Sequence, residues 1–369
     1  VRPATRSLAL CWLLMLVGAG PLLAQDRGGR PFSLSADEAP AGPAGESPYH
    51  LLPDRSLEAE RWLGSEQRLA LAQPWSSLAL NQDRDPERST PASWFDPRFD
   101  RAETEVPRWS FLERHQTLFS VLLPITSIGA VTANSLVAYN TNHSFRVHEE
   151  GWFGKDTTNG GADKASHLTD YYVTASLLED AYKMIGYSEN KAILAGVGLA
   201  IATGLANELS DGVTRHGFSW EDLAMDSAGA LAAGLVSVTH TRDLFSMRTS
   251  HLPSSSYTHD VYSADFKFSG LARRLGVNLG PLRWLLFSVT YGAKGYRVTP
   301  AIEQQRQLGF EVGLNVQQIL FDLRVPRSTW WGYALHVFGD NLRLPFTAVG
   351  MRVDLNRGRW HGPNNGNYD

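Results

Sequence analysis

The stretch AILAGVGLAIATGLANELSDG, from Ala192 to Gly212, decides how the first half of the chain reads. It carries no charge from Ala192 to Asn207, and small residues recur at Gly196, Gly198, Ala200, Ala202 and Gly204. Such a stripe lets neighbouring backbones approach closely, in a tight bundle or in a membrane. The run is shorter than the ~20 apolar residues a membrane span needs, so a helix buried in a bundle is expected. Glu208 and Asp211 follow one turn apart, with Gly212 as a helix stop. Two acids at a helix C-terminus oppose the helix dipole and call for a cation, with Lys164, Arg215 and His216 as candidates.

Working outward, Ser227 to Thr239 is a second charge-free run, and Gln116 to Phe145 contains no Lys, Arg, Asp or Glu. Leu118 to Tyr139 is long enough to cover a bilayer, although Pro124 and Asn134 dilute it. These runs define a helical domain over 108–244. After Thr258 the period changes from helical to two. Tyr262, Ala264 and Phe266 alternate with Ser263, Asp265 and Lys267, and Leu308, Phe310, Val312 and Leu314 alternate with Gly309, Glu311 and Gly313. Weaker alternation marks Phe287, Val289 and Tyr291, then Tyr333, Leu335 and Val337, and finally Val349, Met351, Val353 and Leu355. Five or six antiparallel strands are expected over 257–356, with a C-terminal tail over 357–369. A closed outer-membrane barrel needs at least eight strands in bacterial single-chain examples. A sheet packed on the helices is therefore the expectation and the barrel its alternative.

Upstream, residues 25–107 are proline-rich, as in Ala39-Pro40-Ala41-Gly42-Pro43, and read as a linker or disordered stalk. Leu57 to Leu71 within it has the spacing of a short amphipathic helix. Residues 1–24 combine Arg2 and Arg6, an apolar run from Leu8 to Val17 and the small Ala24, the pattern of a secretory signal peptide. Cys11, the single cysteine, lies inside it, behind the bulky Leu10, so thiolate chemistry and lipid attachment are not expected. The fold class is α+β: a small-residue-rich helical bundle, then an antiparallel β-sheet region, with a disordered N-terminal stalk.

The 369 residues are 43% hydrophobic, which excludes a wholly disordered chain. The net charge of −4 is spread without like-charge blocks, and there is no P-loop, G-x-S-x-G or H-E-x-x-H sequence. No nucleic acid or nucleotide is expected as a partner. The informative residues are polar groups set among apolar helices, where ionisable side chains are costly unless paired or used. Asp163, His167 and Asp170 fall at i, i+4 and i+7, on one helical face, with Lys164 beside them. Glu208 and Asp211 form the second cluster. The third runs from His216 through Asp222 to Asp226, and Ser219-x-x-Asp222 has the helix-start pattern. Asp226 has no such local explanation and should meet a partner.

Taken in order, Asp163-Lys164-x-x-His167, Glu208-x-x-Asp211 and Gly217-Phe218-Ser219-Trp220-x-Asp222-x-x-x-Asp226-x-x-Gly229 resemble the YfiM-like group of predicted periplasmic proteins of unknown function, and more distantly VanZ-like membrane proteins. The resemblance covers Trp152 to Gly234. It implies an exported protein, in the periplasm or outer membrane of a Gram-negative bacterium, and no established reaction. Partners would be the envelope membrane or other envelope proteins. The expected role is structural or interactive, with Asp163, Lys164, His167, Glu208, Asp211, His216, Asp222 and Asp226 forming a buried network across three helices. No cofactor is expected. The alternative is an enzyme or a divalent-metal site built from the same histidine and carboxylates.

Overall fold

The computed structural model describes residues 94–138, 143–250, 260–296, 303–344 and 346–364. The expected signal peptide, Cys11, Leu57 to Leu71 and most of the proline-rich segment lie outside these residues. Two short helices come first, α1 (Arg101–Thr104) and α2 (Ser110–Arg114), then four long ones, α3 (Gln116–Ala138), α4 (Ala162–Met184), α5 (Glu189–Asp211) and α6 (Trp220–Val238). The C-terminal part interleaves β1 (Phe245–Thr249), β2 (Val261–Lys267), α7 (Phe268–Leu275), β3 (Leu285–Lys294), β4 (Gln305–Leu314), α8 (Val316–Asp322), α9 (Trp330–Asn341), β5 (Ala348–Asp354) and β6 (Arg359–Asn364). The helical bundle and the antiparallel sheet are thus both present. The sheet has six strands in sequence order, a meander with β1 and β6 at its edges.

Helix α4 is the centre of the bundle, buried on most sides and packed against both α5 and α6. The small residues permit this. A Cβ at Gly229 would lie 2.1 Å from the Leu168 carbonyl oxygen, so only glycine lets α6 come this close to α4. Among the described residues two helices, Gln116–Leu136 and Glu189–Asp211, are long and apolar enough to cross a membrane. The second is half buried in the bundle, whereas α3 has only 17% of its apolar window covered.

Three expectations need correction. Residues 94–107 are no linker: Glu103 is buried and its carboxylate receives the Arg273 guanidinium at 2.7 Å. Tyr333, Leu335 and Val337 belong to α9, not to a strand. Tyr333 and Val337 are four residues apart and buried while Leu335 is exposed, which is the helical period, and Thr329 caps the helix by accepting from the Gly332 N–H. Residues 359–364 of the expected tail form β6, paired to β5 through Val353 and Trp360 after a turn at Gly358, whose φ is +66°. As expected, α5 stops at Gly212, its C-cap, with a φ of −53° rather than a left-handed turn, and a Cβ there would lie 2.3 Å from the Phe145 ring.

The sheet also has an unusual polarity. The alternation of β2, β3 and β4 invites burial of the apolar rows, yet across β3 to β5 the polar rows are buried instead. Ser288, Thr290, Gln307, Glu311 and Asp265 are all buried, while Phe287, Val289, Phe310, Val312 and Met351 are exposed. Buried polar groups must be satisfied. Asp265 accepts from Arg248, Ser263 and Ser288, the last at 2.6 Å, and Arg343 pairs with Glu311. The apolar row is covered at β1, β2 and the end of β3: Phe245 packs edge-on against Tyr172 of α4, and Tyr262 and Ala293 cluster with Ala162 and Ala165.

Candidate functional site: a buried ion network across three helices

The network begins with Lys164, in the first turn of α4 and fully buried. Its Nζ lies 2.6 Å from Asp222 Oδ1 on α6, 2.9 Å from Glu150 Oε2 in the loop before α4, and 3.1 Å from its neighbour Asp163 Oδ2. Burial works against the ammonium, but Asp222, Asp163 and Glu150 together outweigh it and raise its pKa. One turn on, His167 Nδ1 lies 2.7 Å from Asp226 Oδ1, and Nε2 lies 3.6 Å from Asp222 Oδ1. Burial disfavours the imidazolium, yet Asp222 and Asp226 overcome this and lift the His167 pKa well above its ordinary value. Asp222 therefore stands between two cations from the same helix.

How Asp222 becomes free to do this is visible in the cap of α6. Ser219 Oγ accepts from the Asp222 N–H at 3.2 Å, as the sequence pattern requires. A complete capping box would return the acidic side chain to the Ser219 N–H. Here Glu208 Oε2, from α5, accepts that N–H at 3.0 Å, and the Asp222 carboxylate turns to Lys164 instead. Glu208 thus links α5 to α6, and burial raises its pKa well above the ordinary carboxylate value. Burial also raises Asp211 and Asp226 to about 6 and Glu150 to about 7. Asp163 moves the other way: burial raises it, but Lys164 dominates and the net direction is down.

Of the expected residues, Asp163, Lys164, His167, Glu208, Asp222 and Asp226 meet in this network. Asp163 does so through Lys164, and the hydrogen-bond partner of His167 is Asp226. Asp211 sits one turn beyond Glu208 and accepts from Asn207 Nδ2 at 3.4 Å. His216 stays in the loop after α5, with its backbone N–H donating to Thr214 Oγ1. Asp170 is engaged by Ser166 at 2.8 Å. Glu150 carries no sequence signal. It is brought in by strand-like pairing of the Arg146 to His148 segment with Gly212 and Phe218, and by the Gly151 N–H donating to Glu221.

Among the described residues two groups of side chains are close enough for each to surround one ion: His167, Glu208 and Asp222, with ligand atoms within 4.8 Å of one another, and Glu150, Asp163 and Asp222. The second already encloses the Lys164 ammonium. The first has the make-up of a site for a borderline divalent ion. Asp226 would fix the His167 ring through Nδ1 and leave Nε2 facing the carboxylates, the usual outer support of a ligating histidine. Asp226 Oδ2 is buried without a hydrogen-bond partner.

A second network lies at the other end of α4 and escaped the sequence reading. Arg242 pairs with Glu179 at 2.6 Å and with Asp180 at 3.1 Å, while Arg327 and the Tyr333 hydroxyl both reach Asp180 Oδ2 at 3.0 Å. It ties the C-terminal α9 to the bundle. Only the adjacent Glu179-Asp180 pair in an apolar helix hinted at it.

Residues 149–238 match a family described as predicted periplasmic lipoprotein (DUF2279). The match takes in every member of the first network, from Glu150 to Asp226, and stops before the sheet. This similarity is to a family of unknown function and fits a cell-envelope protein. No curated protein and no solved structure matches the chain.

Proposed function

We propose that this is an exported cell-envelope protein with a structural or interaction role, and that the network around Lys164 locks α4, α5 and α6 and the Glu150 loop into one arrangement. The observation that carries this reading is Lys164 itself: a fully buried ammonium ion-paired to carboxylates from three segments. A group so enclosed holds elements together and does not reach a substrate. We infer further that the motif order reflects kinship with the YfiM-like group, and more distantly with VanZ-like proteins. Residues 1–24 act as a signal peptide, and the partners are the envelope membrane or other envelope proteins of a Gram-negative bacterium. Fractionation tests this: the mature chain should be recovered from periplasm or outer membrane, and recovery from cytosol sinks the proposal.

A second reading is favoured by one specific observation, the placement of His167 Nε2 beside Asp222 and Glu208 with Asp226 behind the ring. In it the same residues hold a divalent ion. The two readings separate in thermal melts. For the lock, chelator and added Zn2+ or Mn2+ leave the melting temperature unchanged, and Asp226→Ala destabilises by about 1 to 3 kcal/mol through its unpaired histidine. For the ion site, chelator lowers the melting temperature of the wild type and has no effect on His167→Ala.

A further inference from the structure

The sheet face left exposed across β3, β4 and β5 is not used by the lock. Its outward rows are set by the strand register: Leu285 opposite Leu314, Phe287 opposite Val312 and Val349, Val289 opposite Phe310 and Met351, Tyr291 opposite Leu308 and Val353. None of these side chains is charged. The one polar group, the Tyr291 hydroxyl, is already engaged with the Gly160 carbonyl oxygen at 2.5 Å. A shallow cavity lined by Phe287, Phe310, Val312, Val349, Met351 and Trp360, together with Gly350 and Glu311, whose carboxylate pairs with Arg343, lies on this face.

We propose that this face of β3 to β5 is a lipid-contacting surface, seated against the acyl chains of an envelope membrane. Three observations select lipid over a protein partner. The first is the inversion of polarity, with ionised and hydroxyl side chains buried behind the sheet and aliphatic and aromatic ones in front, which is the arrangement of strands that meet lipid on one side. The second is height. Leu308 to Leu314 of β4, the outward apolar run, rises by about 20 Å at about 3.3 Å per residue, which fits within an apolar band about 25 Å tall on outer-membrane strands. The third is what bounds it. At one end Arg283 pairs with Asp322 at 2.8 Å beside Trp284, and at the other Arg306 lies opposite Ala293, so charge and indole flank the apolar stretch as they do at membrane interfaces. A protein interface of ordinary kind would also carry hydrogen-bonding groups, about one bond per 100–200 Å2, and the outward rows offer none.

The test places an environment-sensitive NBD label at Met351→Cys in the full chain carrying Cys11→Ser, with a second label at Val349→Cys. Vesicles of phosphatidylethanolamine and phosphatidylglycerol, with and without brominated acyl chains, are the probe. In buffer both labels should emit as water-exposed groups. On vesicles both should shift to the blue, and brominated chains should quench them at least twofold. A control label at exposed Glu149→Cys should do neither. Circular dichroism and melting curves of the labelled chains check that each is folded. Three results overturn the proposal: folded protein that does not bind the vesicles, labels that stay water-exposed on vesicles to which it is bound, and labels already shielded in buffer, which would assign the face to a second copy or to another part of this chain.

Discussion

Replacing Lys164 by Met keeps the length and most of the volume of the side chain and removes its charge, so the loss it causes is electrostatic. In the wild type one ammonium faces Asp222, Glu150 and Asp163, all within 3.1 Å and out of water. Removing one partner of a buried ion pair typically costs about 3–5 kcal/mol, because the opposite charge stays buried and uncompensated. Three carboxylates share this ammonium, so Lys164→Met should fall in the upper part of that range at pH 7.5. The sign of the pH effect follows. Without the ammonium, which lowers both of them, Glu150 and Asp163 gain higher folded-state pKa values, so protonation relieves the variant as pH falls. Urea titration monitored by circular dichroism should therefore show a deficit of about 4–5 kcal/mol at pH 7.5 that shrinks by at least about 1 kcal/mol at pH 5. A double-mutant cycle with Asp222→Asn should show a coupling of about 2 kcal/mol or more. A deficit below about 1 kcal/mol at both pH values, or no coupling, would refute the lock.

Three other outcomes can be checked on the same preparations. Asp211 and Asp226 have folded-state pKa values raised to about 6 and Glu150 to about 7, so the stability tied to their protonation is present at low pH and lost as pH rises from about 4 through 7; His167, raised above 6.5, loses its contribution at still higher pH. Asp163 and Asp180 are lowered and act oppositely below about pH 4, so the urea midpoint should be higher at pH 5 than at pH 8 and fall again at pH 3, and a profile rising from pH 5 to 8 contradicts the assignment. Gly229→Ala should cost about 3 kcal/mol by driving α6 off the Leu168 carbonyl, whereas Gly198→Ala, with open space around it, should be neutral or slightly stabilising in the same melts. Arg242→Ala should destabilise by about 3–5 kcal/mol, with limited proteolysis detecting release of the α9 region before α4 is cut; equal protection in both proteins would remove the second network from the account.

The sequence by itself determined the classes of element and most members of the first network. Charge-free runs with small residues marked helices, and period-two alternation at Tyr262, Phe287, Leu308 and Val349 marked strands, because both patterns follow from side-chain geometry along one element; the same alternation at Tyr333 to Val337 marked a helix instead. The acids and bases of the network were legible for a similar reason: ionisable groups in apolar helices stand out whatever their partners are. The tertiary structure alone decided the pairings. Whether Asp222 completes its own capping box or turns to Lys164 depends on Glu208 arriving from another helix to take the Ser219 N–H, and no local pattern encodes that arrival. Glu150, Glu179 and Arg242 stayed hidden because their burial results from chain segments far away in sequence. The face of the sheet was undetermined for the same reason. Alternation fixes that Phe287 and Ser288 point opposite ways, but only the packing around Asp265, Arg248 and Glu311 decided that the polar side turns inward.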